Sequence, residues 1–157
     1  MKIQRLVIAA LVVLFALPAF AQDKPASNMD ILRQKIQADK KLLVAANMEL
    51  TEAEATRFWP VYDAYQADLG KINARTVQLI KDYAAQYNAK SLTDDVAQRL
   101  MQEALEIEQA EVTAKQAAMA KASAALPATK AARYLQIENK IRAVIKFELA
   151  DGIPLVP

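Results

Sequence analysis

Residues 51–88 read TEAEATRFWPVYDAYQADLGKINARTVQLIKDYAAQYN, and they carry the strongest helical pattern in the chain. A stripe recurs in it every three or four positions, at Phe58, Tyr62, Tyr65, Leu69, Ile72, Thr76, Leu79 and Tyr83. Such spacing keeps one face of a helix turned toward a partner helix. Because Thr51 and Glu54 have the spacing of a capping box, the helix is predicted to run from Glu52 to Asn88, a length of about 55 Å.

Pro60 lies near the start of this helix. Proline removes one hydrogen-bond donor from a helix and crowds the carbonyl group four residues earlier. We therefore predict a bend near residues 56–60 rather than two separate helices. An earlier helix is predicted from Ser27 to Asn47, and its apolar side is formed by Leu32, Ile36, Leu43 and Ala46.

A third helix is predicted from Asp94 to Ala125, with Thr93 as its N-cap. It carries two apolar rows, and we expect them to contact two neighbouring helices. One row contains Leu100, Ala104 and Ile107, and the other contains Met101, Leu105, Val112 and Met119.

A fourth helix is predicted from about Pro127 to Ala150, with Tyr134, Ile137, Ile141, Val144 and Ile145 buried. The chain contains only 2 glycines, which favours helix nearly everywhere. The sequence thus predicts an all-α fold, an elongated antiparallel helical hairpin of about four helices, two of them long.

Charges suggest how the two long helices align. Helix three is acidic, whereas helices two and four are basic at the corresponding levels. For a hairpin that turns near residue 91 or 92, the predicted pairs are Lys71 with Glu111, Arg75 with Glu108, and Lys81 with Glu103. Exposed pairs of this kind contribute only about 0 to 1 kcal/mol each, so they select alignment while the apolar stripe supplies most of the stability.

The N-terminus has the pattern of a secretory signal peptide. Lys2 and Arg5 precede an apolar run at residues 6–17, and Ala19 and Ala21 have the spacing of a peptidase site. We expect cleavage after Ala21, which leaves residues 22–157 as a single exported helical domain. No cysteine follows the cut for lipid attachment, and no later segment is apolar enough to span a membrane, so a soluble periplasmic protein is expected.

Composition argues against an enzyme. Loss of Lys2 and Arg5 reduces the 20 Lys and Arg to 18, equal to the 18 Asp and Glu, so a nucleic-acid partner loses its compositional support. The chain has no histidine and no cysteine, the usual ligands and bases of metal and nucleophilic sites. We expect no catalytic residue, no cofactor and no metal. The alternative for Glu103, Glu106, Glu108 and Glu111 is a hard-cation site, but a salt-bridged or solvated face is favoured.

The element Leu50-Thr51-Glu52-Ala53-Glu54 resembles the L-T-x-x-Q motif of the Spy and CpxP family of periplasmic stress proteins. Glu54 stands where that motif has glutamine. The nearest counterpart of the family's second motif copy is Leu126-Pro127-Ala128-Thr129-Lys130, which keeps the leucine at a helix start. The resemblance implies a thin helical hairpin, commonly a homodimer, that holds unfolded clients or modulates an envelope stress sensor without ATP.

A client-binding surface is predicted on helix two, where aromatic and cationic side chains are concentrated in a mixture suited to weak contact with varied unfolded chains. The candidate residues are Arg57, Trp59, Lys71, Arg75 and Tyr87. Trp59 falls one position off the apolar stripe, so it either caps the hairpin end or lies on an interaction surface. Phe58, Tyr62 and Tyr65 are interpreted as core.

Two functions from different classes follow. As an ATP-independent chaperone, the protein binds several unrelated unfolded polypeptides through exposed aromatic and basic surface. As a structural or regulatory adaptor, it binds one folded envelope partner. A third possibility, an Skp-like holdase, calls for a strand-rich trimerisation body and strongly basic tentacles, and the sequence has neither pattern.

Overall fold

The computed structural model describes residues 39–157, which form four helices and no strand. Residues 39–48 form α1, and the next three helices are α2 (Glu52–Asn88), α3 (Asp94–Ala125) and α4 (Ala128–Gly152). The predicted all-α fold with two long antiparallel helices is confirmed. The signal peptide at residues 1–21, and the earlier part of the first helix with Ser27, Leu32 and Ile36, lie outside the described residues.

The N-terminus of α2 has the predicted capping box. The Thr51 hydroxyl accepts a hydrogen bond from the Glu54 backbone N–H at 3.3 Å, and the Thr51 N–H donates to Glu54 Oε2 at 2.8 Å. α2 continues through Pro60 as one helix, as predicted, and Pro60 lies on its exposed side. The bend at this point stays a prediction. The N-cap of α3 is also as predicted, since the Thr93 hydroxyl accepts from the Val96 N–H.

The helices run alternately up and down. α2 and α3 pack closely along the hairpin, whereas α4 lies farther from α2 and reaches it through side chains. α4 runs parallel to α2, because Lys130 meets Glu54 near the start of both helices and Arg142 meets Asn73 farther along. Beyond α4, the Tyr83 hydroxyl donates to the carbonyl of Pro154 at 2.9 Å.

The best-packed core lies where α1 meets the first turns of α2 and α4, a region we call the aromatic end. Phe58 and Tyr134 are fully buried, with ring centroids 4.9 Å apart in an edge-on arrangement at 86°. Tyr62 packs beside both rings and meets Trp59 edge-on at 5.4 Å, and Trp59 also contacts Phe58 at 5.1 Å. Burial raises the pKa of Tyr65 to about 12 and raises the pKa of Tyr62 and Tyr134 further, so these rings stay neutral at ordinary pH.

A partly buried polar network joins α1 to the bundle. Lys40 Nζ lies 2.8 Å from Glu138 Oε2 and 2.9 Å from Gln66 Oε1, and Gln66 Nε2 donates to Glu138 Oε1 at 3.3 Å. The three side chains form a closed triangle that joins α1, α2 and α4. Only 4% of the Glu138 side chain is exposed, so the carboxylate depends on these partners.

Details of α1 differ from the sequence-based expectation. The helix continues past Asn47 to Met48, because Glu49 rather than Asn47 adopts the left-handed conformation that ends it, with φ 49°. Val44 and Met48 are buried, whereas Ala46 is exposed. The apolar face of α1 is therefore rotated from the predicted one.

The charge pairs predicted between α2 and α3 are wrong. Arg75 pairs with Glu103 at 2.9 Å and with Glu106 at 3.4 Å, and Lys71 pairs with Asp68 on its own helix. The physical reason is that Glu108 and Glu111 face α4 instead of α2. There they pair with cations of α4, which the prediction for the α2–α3 hairpin did not include: Lys146 contacts both carboxylates and Arg142 contacts Glu111.

The expectation that the second apolar row of α3 contacts a neighbouring helix is also wrong for three of its four residues. Met119 packs against the core, but Met101, Leu105 and Val112 are exposed by 60%, 55% and 47%. The first row, with buried Ile107, faces the bundle. One row suffices for α3 to contact its neighbours, so the other remains at the surface.

Candidate functional site

Two of the predicted surface residues lie at the aromatic end. Arg57 Nε donates to the carbonyl of Ala125 at 3.0 Å, so this exposed side chain satisfies the C-terminus of α3. Trp59 is half-buried on the aromatic core, and Lys41 Nζ lies 5.2 Å from its ring centroid in a cation–π contact. Both side chains are thus engaged within the chain.

Two more of the predicted surface residues, Lys71 and Arg75, lie midway along α2 on the side next to α3. Lys71 is exposed and pairs with Asp68 at 3.1 Å. Arg75 forms a two-bond contact with Glu103, and this hydrogen bonding raises the pKa of the guanidinium and lowers the pKa of the carboxyl. Neither cation is unpaired.

Tyr87 lies at the far end of α2, with its ring centroid 5.7 Å from that of Tyr83. Thirty residues separate Arg57 from Tyr87, which corresponds to about 45 Å along a helix. The structure therefore does not bring the five candidate residues together into one site. Spacing along one helix predicts which residues lie on the same side of it. It does not predict which of them form contacts with other helices.

The two motif-like elements do meet. Leu126 is buried, and Leu50 packs against the same core cluster. Lys130, the fifth residue of the second element, donates to Glu54, the fifth residue of the first, at 2.6 Å and also to the carbonyl of Glu49 at 2.8 Å. The hydrogen bonds from Lys130 and from the Thr51 backbone lower the Glu54 pKa to about 2.

A scan against protein-family models finds no match, and searches of curated proteins and of solved structures find no significant match.

The exposed side of α3 and α4 carries apolar residues that the sequence predicted to be packed, and Phe147, which the sequence did not single out. Phe147 on α4 is 61% exposed, and the adjacent Lys146 contacts Glu108 across the two helices at 3.4 Å. Because the helices are antiparallel, this pair brings Phe147 to the level of Leu105. We call the set Met101, Leu105, Val112 and Phe147 the apolar row. The signal was available in the sequence, as a second row on α3 offset from the core-facing one.

Beside the apolar row, a groove of about 550 Å³ lies among α2, α3 and α4. Its walls are aliphatic, formed by Leu79, Ile80, Ile107, Ile145 and Leu149. The exposed pair Glu108 and Lys146 also lines it, so the groove reaches the surface between α3 and α4. We call this region of the bundle the open end.

The acidic run of α3 is a salt-bridged face, as favoured from the sequence. Glu103 and Glu106 contact Arg75, while Glu108 and Glu111 contact cations of α4. Within residues 39–157, no group of three or more candidate ligand side chains is placed to hold a metal ion. None of the helices in this range has the length and apolar character needed to cross a membrane.

Proposed function

We propose that the chain is an exported, ATP-independent chaperone that binds unfolded polypeptides in the periplasm. The observation that carries the proposal is the apolar row. Four large apolar side chains, each 47–61% exposed, stand on two adjacent helices. Met101, Leu105 and Val112 share one face of α3 by their spacing of four and seven residues. Exposed apolar side chains grouped in this way often mark sites of interaction.

The meeting of the two motif-like elements supports the resemblance to the Spy and CpxP family. Each element supplies a leucine to one core cluster, and their fifth residues, Glu54 and Lys130, form an ion pair. This arrangement gives the two elements one shared structural role in which charges replace the glutamine of the motif.

The signal-peptide pattern supports export. We propose that residues 22–157 are the mature protein, and mass spectrometry of the product recovered from the periplasm of an expressing bacterium tests this directly. A mature N-terminus at Gln22 is the expected result, and an uncleaved product retained in the cytoplasm would contradict export.

The functional test is light scattering by two chemically unrelated denatured proteins without ATP. We expect the purified exported protein to suppress aggregation of both at a near-equimolar ratio. Leu105→Glu should remove most of this suppression, because it places a charge in the middle of the apolar row. The matched control is Leu155→Glu, which adds the same charge at a leucine that is 89% exposed in the C-terminal tail.

The same light-scattering assay distinguishes the chaperone from the alternative function, an adaptor that binds one folded partner. Failure to suppress either client would reject the chaperone proposal. Capture of one folded envelope protein that depends on Leu105 would then favour the adaptor, since a single apolar row can also receive one complementary helix. Equal activity of the two glutamate variants would show that the apolar row is not the binding surface.

A further inference from the structure

We infer that the groove at the open end takes uncharged apolar side chains of the bound polypeptide, an inference that rests on the proposed chaperone function. The groove and the apolar row adjoin. Glu108 lines the groove, and on the same helix it lies one turn from Leu105 and one turn from Val112 of the row. A chain held on the row is therefore close enough to place a side chain in the groove.

The groove exists because of how α4 is placed. α2 and α3 pack closely, whereas α4 approaches the pair mainly through side chains and leaves space toward its C-terminus. Ile80 and Ile145 are only half-buried there, in contrast to the filled aromatic end. The volume of about 550 Å³ lies within the range of about 300 to 1,000 Å³ that is usual for binding pockets.

The charges around the groove identify the chemistry of its occupant. Lys146 lies 3.4 Å from both Glu108 and Glu111, and Arg142 contacts Glu111 and Asn73. The two cations are therefore balanced by two carboxylates, and neither sign is left over to attract a charged ligand. A charged side chain in the groove would lose hydration without gaining a partner, whereas leucine or phenylalanine would gain by burial.

Peptide binding to groove-filling variants tests the inference. The probe is a fluorescently labelled glycine–serine peptide with leucine and phenylalanine at its centre, and its binding is measured by anisotropy. Ala104→Phe should fill the groove from α3 and weaken binding by about tenfold or more, the value of one buried apolar side chain. Ala120→Phe is the matched control, because Ala120 is exposed on the same helix and does not line the groove.

Two further measurements define the chemistry. Peptides with aspartate or lysine at the centre should bind much more weakly than the apolar peptide. Binding of the apolar peptide should not change between about 50 mM and about 500 mM salt, because screening weakens only charge–charge attraction. Ala150→Phe fills the groove from an exposed position on α4 and serves if Ala104→Phe does not fold, as judged by circular dichroism.

The outcomes separate the two proposals. If the wild type neither binds the peptide nor suppresses aggregation, the chaperone proposal itself fails. If the wild type is active and the groove-filling variants bind the peptide as well as Ala120→Phe does, the groove inference is overturned while the function stands. Equal binding of the charged peptides, or loss of binding at high salt, would place the site on charged surface and overturn it as well.

Discussion

At the aromatic end, Phe58, Tyr62 and Tyr134 interlock with at most 3% of each residue exposed, and α1 closes the bundle over them. At the open end of the same helix, half-buried Ile80 lines a groove of about 550 Å³, and half-buried Tyr83 lies about one turn farther along α2. Aromatic rings fill the first region, whereas aliphatic walls leave space in the second. The comparison teaches that one periodic stripe can serve stability at one end of a helix and leave accessible apolar surface at the other.

The largest expected difference between the ends comes from removing one tyrosine at each. Tyr62→Ala should lower the free energy of unfolding by about 3 to 5 kcal/mol, because it opens a cavity among closely packed rings. Tyr83→Ala should cost about 1 to 2 kcal/mol, since its ring is already partly solvated. Urea denaturation of both variants measures the difference. Equal losses would show that the two ends are packed equally well.

A second comparison concerns how α1 is held at the aromatic end. Glu138→Leu should destabilise the protein by about 3 kcal/mol, because it leaves Lys40 and Gln66 without their buried partner. The double variant Lys40→Met/Glu138→Leu should recover much of this loss, since both charges are then removed together. Denaturation midpoints of the single and double variants provide the measurement.

The control for this pair is Lys41→Met. Lys41 forms an exposed ion pair with Asp63 at 2.7 Å and a cation–π contact with Trp59, so its removal should cost about 1 kcal/mol, less than Glu138→Leu. A double variant as unstable as Glu138→Leu alone would mean that the cost arises from poor packing of leucine and not from an unpaired charge.

The two ends also differ in how well the sequence predicted them. The bounds of α2 followed from local signals, the capping box at Thr51 and the stripe that begins at Phe58. The partners of Glu108 and Glu111 did not, because α3 can turn its charges toward either neighbour and only tertiary packing decides which. The predicted pairs assumed that α3 faces α2 alone, whereas at the open end α3 contacts both α2 and α4.

The candidate site shows the same limit. Arg57 and Arg75 have the composition of an interaction surface, yet contacts with α3 already engage both. Leu105 has the composition of a core residue, yet it is exposed. Residue type and spacing identify an apolar row on a helix but not the direction that the row faces. For α3, that direction depends on how it packs against α2 and α4.

The smallest expected difference is electrostatic and again belongs to the aromatic end. The Glu54 carboxyl has a pKa of about 2 in the folded protein, against 4.5 ordinarily, because Lys130 and the Thr51 N–H hydrogen-bond its charged form. Its contribution to stability is therefore fully present above pH 4.5 and is lost as the pH falls toward 2. Glu54→Gln, which restores the residue of the motif, removes this titration.

We thus expect Glu54→Gln to be less stable than the wild type above pH 4.5 and to approach it as the pH falls through this window. Urea midpoints of both proteins at a series of pH values measure this difference in stability. The other carboxyl groups are the same in both proteins, so their titration cancels in the difference. Glu52→Gln is the control, because Glu52 is an exposed carboxylate in the same helical turn. A difference between wild type and Glu54→Gln that stays constant with pH would show that Lys130 stabilises the fold through contacts other than its pair with Glu54.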